Sequence, residues 1–398
     1  MGEKNKDHIS HRGLTSFVVF VLIIFIICAI SIFYSNERNA DSEKQNIPGK
    51  ESYEKFESQE FLMGTVITQQ IYVTKHSDNY ADNNTNDGGA LNIDADDVLN
   101  EVNEKLKDIE RKMFWNSSES EIFNLNQSAG KDAVKLSKDT IYVLCKAKEY
   151  CKLTEGAFDP TVGPLVNAWG ISINETNEDI NTQKIPEENE IKKLLLLVNC
   201  GDLYIDKENN MAKLAKTGQM VDLGGIAKGY AGDEAINIYK KYGITSAYIN
   251  LGGNVVTLGA KPDGTPWRIG IQNPRDSTGK YVGVVEVVNK AVITSGDYER
   301  YIEVNGKRYH HIIDPKTGYP AESGLISTTI ITGSSIMGDA LSTAVFVLGL
   351  EKGMELVESL DDVECIFITN NKDIYVSSGL IDNFTFNNEA NGFNYIKH

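Results

Sequence analysis

The apolar positions of the chain fall into three regimes. The first is one run, Leu14 to Tyr34, which holds no charged side chain; Lys4, Lys6 and Arg12 precede it, and Glu37, Arg38 and Asp41 follow. Its length suits the ~20 residues that a helix needs to cross the hydrocarbon core. The basic flank on its amino side predicts an N-inside orientation, with everything downstream outside the cytoplasm. A cleaved signal peptide is the rival, but the run is long for an h-region and no small-x-small cleavage site follows it. Cys28 is preceded by Ile27 rather than the small residue that lipoprotein processing needs, so an uncleaved anchor is expected. The second regime, Ser35 to about Ser58, is polar and charged with little periodicity, and reads as a flexible tether.

In the third regime apolar residues recur with the period of a strand or of a helix. Phe61 to Val73 reads as a strand containing Met63-Gly64-Thr65, and 76–92, rich in Asn, Asp and Gly, as a surface loop. Val98, Val102, Leu106 and Ile109 mark an amphipathic helix, and another spans about Lys138 to Leu153. Gly156 to Gly170 is too rich in Gly and Pro for a regular element and is expected as an ordered loop, with 171–192 as a polar, exposed excursion. After Val221-Asp222-Leu223-Gly224-Gly225, a helix is expected from Ile226: Ala231, Ala235, Ile238 and Tyr239 keep helical spacing, and Gly243 ends it. Ala247 to Leu258 alternates around Gly252-Gly253, and Trp267 to Gln272, Gly283 to Val288, Ser327 to Thr332 and Cys365 to Thr369 read as strands, with a helix beginning near Gly338. Strands and helices mix without a regular βαβ period, which predicts the α+β class. The expected organisation is a short cytoplasmic N-terminus (1–13), the transmembrane anchor (14–34), the tether (35–58), one catalytic domain (59–385) and a C-terminal tail (386–398).

Composition narrows the partners. With 398 residues and 41% apolar content the chain can build a sizeable core. Its 39 Lys and Arg against 56 Asp and Glu give a formal net charge of −17, which argues against a general nucleic-acid binder. A phosphate ligand on so acidic a chain needs backbone amides, a few placed basic residues, or a divalent cation held by carboxylates. The five cysteines (Cys28, Cys145, Cys151, Cys200 and Cys365) show no CxxC and no zinc spacing. Cys145 and Cys151, on one expected helix, point roughly 240° apart around it and cannot readily bond to each other. They read as core thiols, with a long-range disulfide left open.

Three places carry candidate chemistry. Asp222, Gly224, Gly225 and Lys228 stand at the start of the Ile226 helix, where glycines and exposed amides suit a phosphate. Asp339 and Thr343, four residues apart on a helix, point a carboxylate and a hydroxyl the same way, as a hard cation such as Mg²⁺ requires. Arg300, Arg308, His310 and His311 cluster around two further blocks, and only one of the adjacent histidines can face a common site if the backbone is extended.

Taken together the blocks resemble the FAD:protein FMN transferases, the ApbE family, over nearly all of residues 60 to 380. The matching stretches are Met63 to Thr65, Ser120 to Asn126, the Gly-Ala-Phe-Asp-Pro-Thr segment from Gly156, Val221 to Tyr230, Asn250 to Asn254, Thr294 to Tyr301, His311 to Pro320 and Asp339 to Thr343. The resemblance implies a Mg²⁺-dependent enzyme that takes FAD, joins FMN through a phosphoester to a Thr or Ser hydroxyl of an acceptor protein, and releases AMP. It implies metal ligation by Asp339, Thr343 and a main-chain oxygen near Gly225. It also implies FAD contacts from Met63, Trp115, Ala157, Phe158, Asp159, Asp222, Lys228 and Ile313, with His311 and Asp339 as catalytic residues. The family often has Tyr where this chain has Trp115, and either ring can cover a flavin. The Asp159 and Asp222 carboxylates would accept hydrogen bonds from the nucleotide. With the anchor, the expected acceptors are extracytoplasmic FMN-carrying domains that resemble subunits of membrane redox ion pumps. Two other readings stay open: an FAD diphosphatase, in which water replaces the acceptor hydroxyl, and a non-catalytic, membrane-tethered flavin-binding protein.

Overall fold

The computed structural model describes residues 52–75, 94–171, 185–390 and 392–396. The anchor expected at 14–34, most of the tether and the loop expected at 76–92 lie outside the described residues. Among the described residues no helix is long and apolar enough to cross a membrane.

The described chain begins as a hairpin of β1 (Ser52–Leu62) and β2 (Thr65–Lys75), paired from Ser52 with Lys75 to Leu62 with Thr65. This departs from the expectation twice. The first strand starts inside the expected tether, and the single strand expected over Phe61 to Val73 is broken by a turn at Met63-Gly64. The reason is that β1 is the outer strand of its sheet and mostly exposed. Glu54, Lys55, Glu57 and Glu60 give it the composition of a tether and also discourage further strands from adding. Both turn residues are left-handed, with φ of +53° at Met63 and +69° at Gly64, as a type I′ hairpin turn needs.

Helix α1 (Ala95–Met113) is capped by the Asp94 side chain and buries Val98, Val102, Leu106 and Ile109. Next come α2 (Glu121–Gln127), β3 (Val134–Lys135), α3 (Lys138–Leu153), α4 (Gly163–Trp169), α5 (Glu188–Leu195), β4 (Leu203–Asp206) and β5 (Met211–Leu214). Two of these helices correct the expectation of loop and excursion. In α4, Pro164 falls in the first turn, where its missing N–H costs nothing, and Gly170 closes the helix in the left-handed region. In α5 one buried position, Ile191, is enough to dock an otherwise charged helix. Helix α6 (Ala227–Lys241) ends before Gly243 as expected.

Strands β6 (Ser246–Leu251), β7 (Asn254–Leu258), β8 (Trp267–Gln272), β9 (Tyr281–Val287) and β10 (Ala291–Gly296) lead to the hairpin β11 (Tyr301–Val304) and β12 (Lys307–His310). The chain ends through β13 (Leu325–Thr332), α7 (Ser335–Leu348), α8 (Leu350–Glu358), β14 (Val363–Thr369), β15 (Asp373–Val376), β16 (Phe384–Phe386) and β17 (Asn394–Tyr395). The expected tail therefore supplies β17, which pairs in parallel with β15.

Among the described residues nine strands form the main sheet, in the order β1-β2-β6-β7-β10-β13-β14-β15-β17. Its central strands are buried on both faces, and alternate residues take opposite sides. Ile293, Ile330, Cys365 and Phe367 pack toward the helices, whereas Val292, Ile331, Ile366 and Ile368 join Trp267, Ile271 and Val285 of the small β16-β9-β8 sheet. The result is three layers of α+β architecture: helices, the large sheet, the small sheet.

The first turns of α6 and α7 meet at two glycines. A Cβ on Gly229 would stand 2.4 Å from the Ser335 carbonyl and 2.6 Å from the Asp339 Cβ, and one on Gly232 would stand 2.7 Å from Ser335 Oγ. At that contact each helix caps the other. Asp233 of α6 accepts hydrogen bonds from the Ser335 and Ile336 amides at 2.8 and 3.0 Å, while Asp339 of α7 accepts from the Gly229 amide at 2.8 Å. Asp233→Ala removes the cap of α7, which has none from its own N-cap residue Ser334. We expect a loss of about 1–2 kcal/mol, read as a lower urea midpoint; an unchanged midpoint would show that the cap contributes nothing.

Candidate active site

A cavity of about 1650 Å³ opens where the β1–β2 turn, the loop after α3, the start of α6 and the segment after β10 converge. All twelve residues to which the family resemblance gave a role line it: Met63, Trp115, Ala157, Phe158, Asp159, Asp222, Gly225, Lys228, His311, Ile313, Asp339 and Thr343.

The oxygen-rich end is built on the α6–α7 contact. Asp339 is 4% exposed, and its second carboxylate oxygen accepts from Asn254 Nδ2 at 3.0 Å. Burial raises its pKa; the Lys228 charge, the Gly229 amide and the Asn254 amide pull in the other direction. One helical turn on, the Thr343 hydroxyl leans toward the Asp339 carbonyl at 3.5 Å. A Cβ on Gly225 would stand 3.2 Å from Thr343 Oγ1 and 3.3 Å from Phe158 Cε2, so the backbone reaches the hydroxyl only because no side chain intervenes. A carboxylate, a hydroxyl and a nearby main-chain carbonyl are the hard donors that suit a divalent cation. The same geometry revises the phosphate cradle. The first-turn amide of Gly229 is taken by Asp339, so the positive end of α6 is spent largely on a carboxylate of the protein itself.

Asp159 also differs from its expected part. One oxygen accepts from the amide and hydroxyl of Thr161 at 2.8 and 2.6 Å, and the other from the Cys200 amide at 3.0 Å. Its carboxylate faces inward and shapes the loop; Ala157 and Phe158, 2% and 5% exposed, form the wall. Cys200 is disulfide-bonded to Cys151, so of the thiols read as core residues Cys151 is crosslinked while Cys145 is free. The bridge pins the end of α3 to the turn that holds Asp159. Trp169 of α4 then ties this loop to the next block by donating from Nε1 to the Gly318 carbonyl at 2.8 Å. Asp222 keeps a half-buried carboxylate at the cavity, bonded to the Gly224 amide at 2.7 Å; burial raises its pKa, opposed by that amide and by Arg300.

The two histidines separate as their adjacency requires. His310 is buried against Phe346, with Nε2 3.0 Å from the Ala321 carbonyl. His311 lines the cavity, and its Nδ1 lies 3.2 Å from the Arg300 carbonyl. A carbonyl only accepts, so Nδ1 carries the proton and Nε2 keeps a lone pair. Burial, with the Arg300 and His310 charges adding to it, pulls its pKa down to about 3.

Three residues at or beside the cavity were not singled out from the sequence. Asn254 orients Asp339, as described. Glu299 opens into the cavity yet is ringed by protein, which raises its carboxyl pKa; Lys228 and Arg300 oppose this and Asp339 adds to it. Arg275 forms a two-pronged pair with Asp297, both contacts at 2.7 Å. The Glu299-Arg300 pair directly after β10 was the available signal: opposite charges at the mouth of a buried strand are seldom there for packing.

The family model described as the ApbE family matches residues 63–367. The chain therefore belongs to the ApbE family. A relative named FAD:protein FMN transferase, from Klebsiella pneumoniae (strain 342), is 34% identical over 281 residues, covering 71% of this chain and 85% of the relative. The protein of the same name from Treponema pallidum (strain Nichols) is 32% identical over 298 residues, covering 72% and 80%. Among solved structures, the ApbE protein of Thermotoga maritima superposes with a TM-score of 0.72 at 30% identity, over 83% of this chain and 99% of that one. The flavin transferase ApbE from Vibrio cholerae gives 0.68 at 28% identity, over 82% and 98%.

The His311 environment makes a pH prediction. Folded His311 titrates near 3, and an unfolded histidine near 6.5. As pH falls below about 6.5 the unfolded chain takes up a proton that the folded one refuses, so this residue lowers stability progressively toward pH 3. His311→Asn should flatten that acid decline, measured as urea midpoints at neutral and acid pH. Equal pH slopes for the two proteins would show that the folded imidazole is not held neutral.

Proposed function

We propose that this chain is an FAD:protein FMN transferase that joins FMN to a Thr or Ser hydroxyl of an acceptor protein, with AMP as the leaving product. The observation that carries the reading is the convergence of Asp339, Thr343 and the Gly225 backbone, from separate segments, beside a basic pair and a neutral imidazole in one cavity. Asp339, Thr343 and the Gly225 carbonyl would hold Mg²⁺. When bound, that ion supplies charge neutralisation on the diphosphate.

The protein's own groups do the rest. Lys228 and Arg300 offset the phosphate charge that repels an incoming oxygen. His311 Nε2, its lone pair set by the Nδ1 bond to Arg300, accepts the proton of the acceptor hydroxyl, the negative charge of a bound diphosphate offsetting the burial and the Arg300 charge that hold the free imidazole neutral. The hydroxyl oxygen bonds to the flavin-side phosphorus, the bridging P–O bond breaks, and the bridging oxygen leaves on AMP. Trp115, Phe158 and Ile313, all less than a tenth exposed, offer apolar surface to the flavin ring.

The proposed location is the outer side of the cytoplasmic membrane, anchored through Leu14 to Tyr34. Two independent features support it: the charge asymmetry of that run, and the Cys151–Cys200 disulfide, which suits an oxidising compartment. The acceptors proposed are FMN-carrying domains on that side, such as subunits of membrane redox ion pumps.

Incubation with FAD, Mg²⁺ and a candidate acceptor domain should raise the acceptor's intact mass by one FMN less one water, and Asp339→Ala should abolish the Mg²⁺-dependent gain. Free FMN with an unmodified acceptor would instead mark a diphosphatase, and FAD bound unchanged a flavin-binding protein. Lys228→Ala should weaken FAD binding, by fluorescence titration, more than it slows transfer at saturating FAD; the reverse order would remove Lys228 from nucleotide binding.

A further inference from the structure

The cavity is rimmed by exposed apolar side chains. At its mouth stand Phe61, Val66 and Phe114, which are 69%, 47% and 53% exposed. Phe61 and Val66 are directly paired across β1 and β2, so they lie side by side on one face of the hairpin. Phe114 is the C-cap of α1, where the backbone becomes extended; it turns outward while its neighbour Trp115, 8% exposed, turns in. The patch continues past the hairpin turn. A Cβ on Gly64 would stand 3.6 Å from an Arg300 guanidinium nitrogen, and the next residue, Tyr301, is 42% exposed beneath the Arg308 guanidinium at 3.9 Å.

Leaving a phenylalanine in water forgoes about 1.5–3 kcal/mol of burial. Single exposed apolar residues need no explanation, but several contiguous ones around a cavity mouth mark a surface that is covered in use. Trp115, Phe158, Ile313 and Asp339, among the residues suited to nucleotide and metal, are each less than a tenth exposed, in contrast to the three rim residues. At about 1650 Å³ the cavity also exceeds the roughly 300–1,000 Å³ of ordinary small-molecule sites, which leaves room for a second occupant. Resting on the transferase reading, the second reactant is a polypeptide hydroxyl that must cross this rim to reach His311.

We propose that Phe61, Val66 and Phe114 form the docking surface for the acceptor protein, and that they receive apolar side chains flanking the Thr or Ser that is modified. The rim thereby selects which hydroxyl enters, while the deeper residues bind FAD.

The test uses the full chain with Phe61→Ser and Phe114→Ser, singly and together, against Phe61→Leu as the conservative control. Initial rates against acceptor concentration should show KM for the acceptor raised about tenfold in the double variant. The FAD dissociation constant should stay within about twofold, and the leucine variant should behave as the parent. An unchanged KM, or a weakened FAD affinity with KM unchanged, would overturn the proposal, the second outcome making the patch a nucleotide wall. A parent dimer that the double variant dissolves, with acceptor KM unchanged, would assign the patch to a second copy and equally overturn it. Acceptor binding in EDTA, by anisotropy of a labelled acceptor, separates the two readings. If the parent binds the acceptor and the double variant does not, the docking surface stands even where no FMN is transferred; if both bind equally, it falls.

Discussion

Everything at the site depends on one hydrogen-bonded contact, the Asp339 carboxylate seated on the Gly229 amide. A buried carboxylate is costly unless its charge is answered. Here the answer comes from the positive end of α6, from Asn254 and from the Lys228 charge. The seat exists only because α6 and α7 approach to glycine distance, and that approach is held by the reverse contact of Asp233 on the start of α7. The metal-type donors are thus fixed by helix packing rather than by a loop.

The surrounding charges follow from that seat. Lys228, one residue before Gly229, is placed by the same helical turn, and Glu299 and Arg300 close the ring from the end of β10. Acid and base alternate around a space in which a diphosphate has to fit, inside a chain whose overall charge is strongly negative. Local arrangement overrides the net charge, as it must for an acidic protein to hold an anionic nucleotide. His311 belongs to the same ring, since its tautomer is set by the backbone of Arg300.

Much of this was legible in the sequence because it rests on local signals. The α1 and α6 helices announce themselves by period, α6 also by its stop at Gly243, and the β6 and β7 strands by alternation around Gly252-Gly253. Most cavity-lining residues were reached through motif blocks, while Asp339 and Thr343 were reached also through their helical spacing. What stayed hidden depends on long-range pairing. The polar edge strand β1 looks like a tether until β2 is beside it, and α4 looks like a loop until Pro164 is placed in a first turn. Asp159 looks like a ligand until its oxygens are found on Thr161 and Cys200. Glu299 carries no spacing signal; only its charge pairing with Arg300 in sequence hinted at the role that the cavity gives it.

The Cys151–Cys200 bridge closes a stretch of 49 residues, and both its ends abut the loop that shapes the cavity wall. In the chain-entropy view such a closure is worth about 4 kcal/mol against the unfolded state. The loop around Asp159 is therefore tied, through the Cys200 amide and the Cys151 carbonyl, to a bond that only an oxidising compartment sustains.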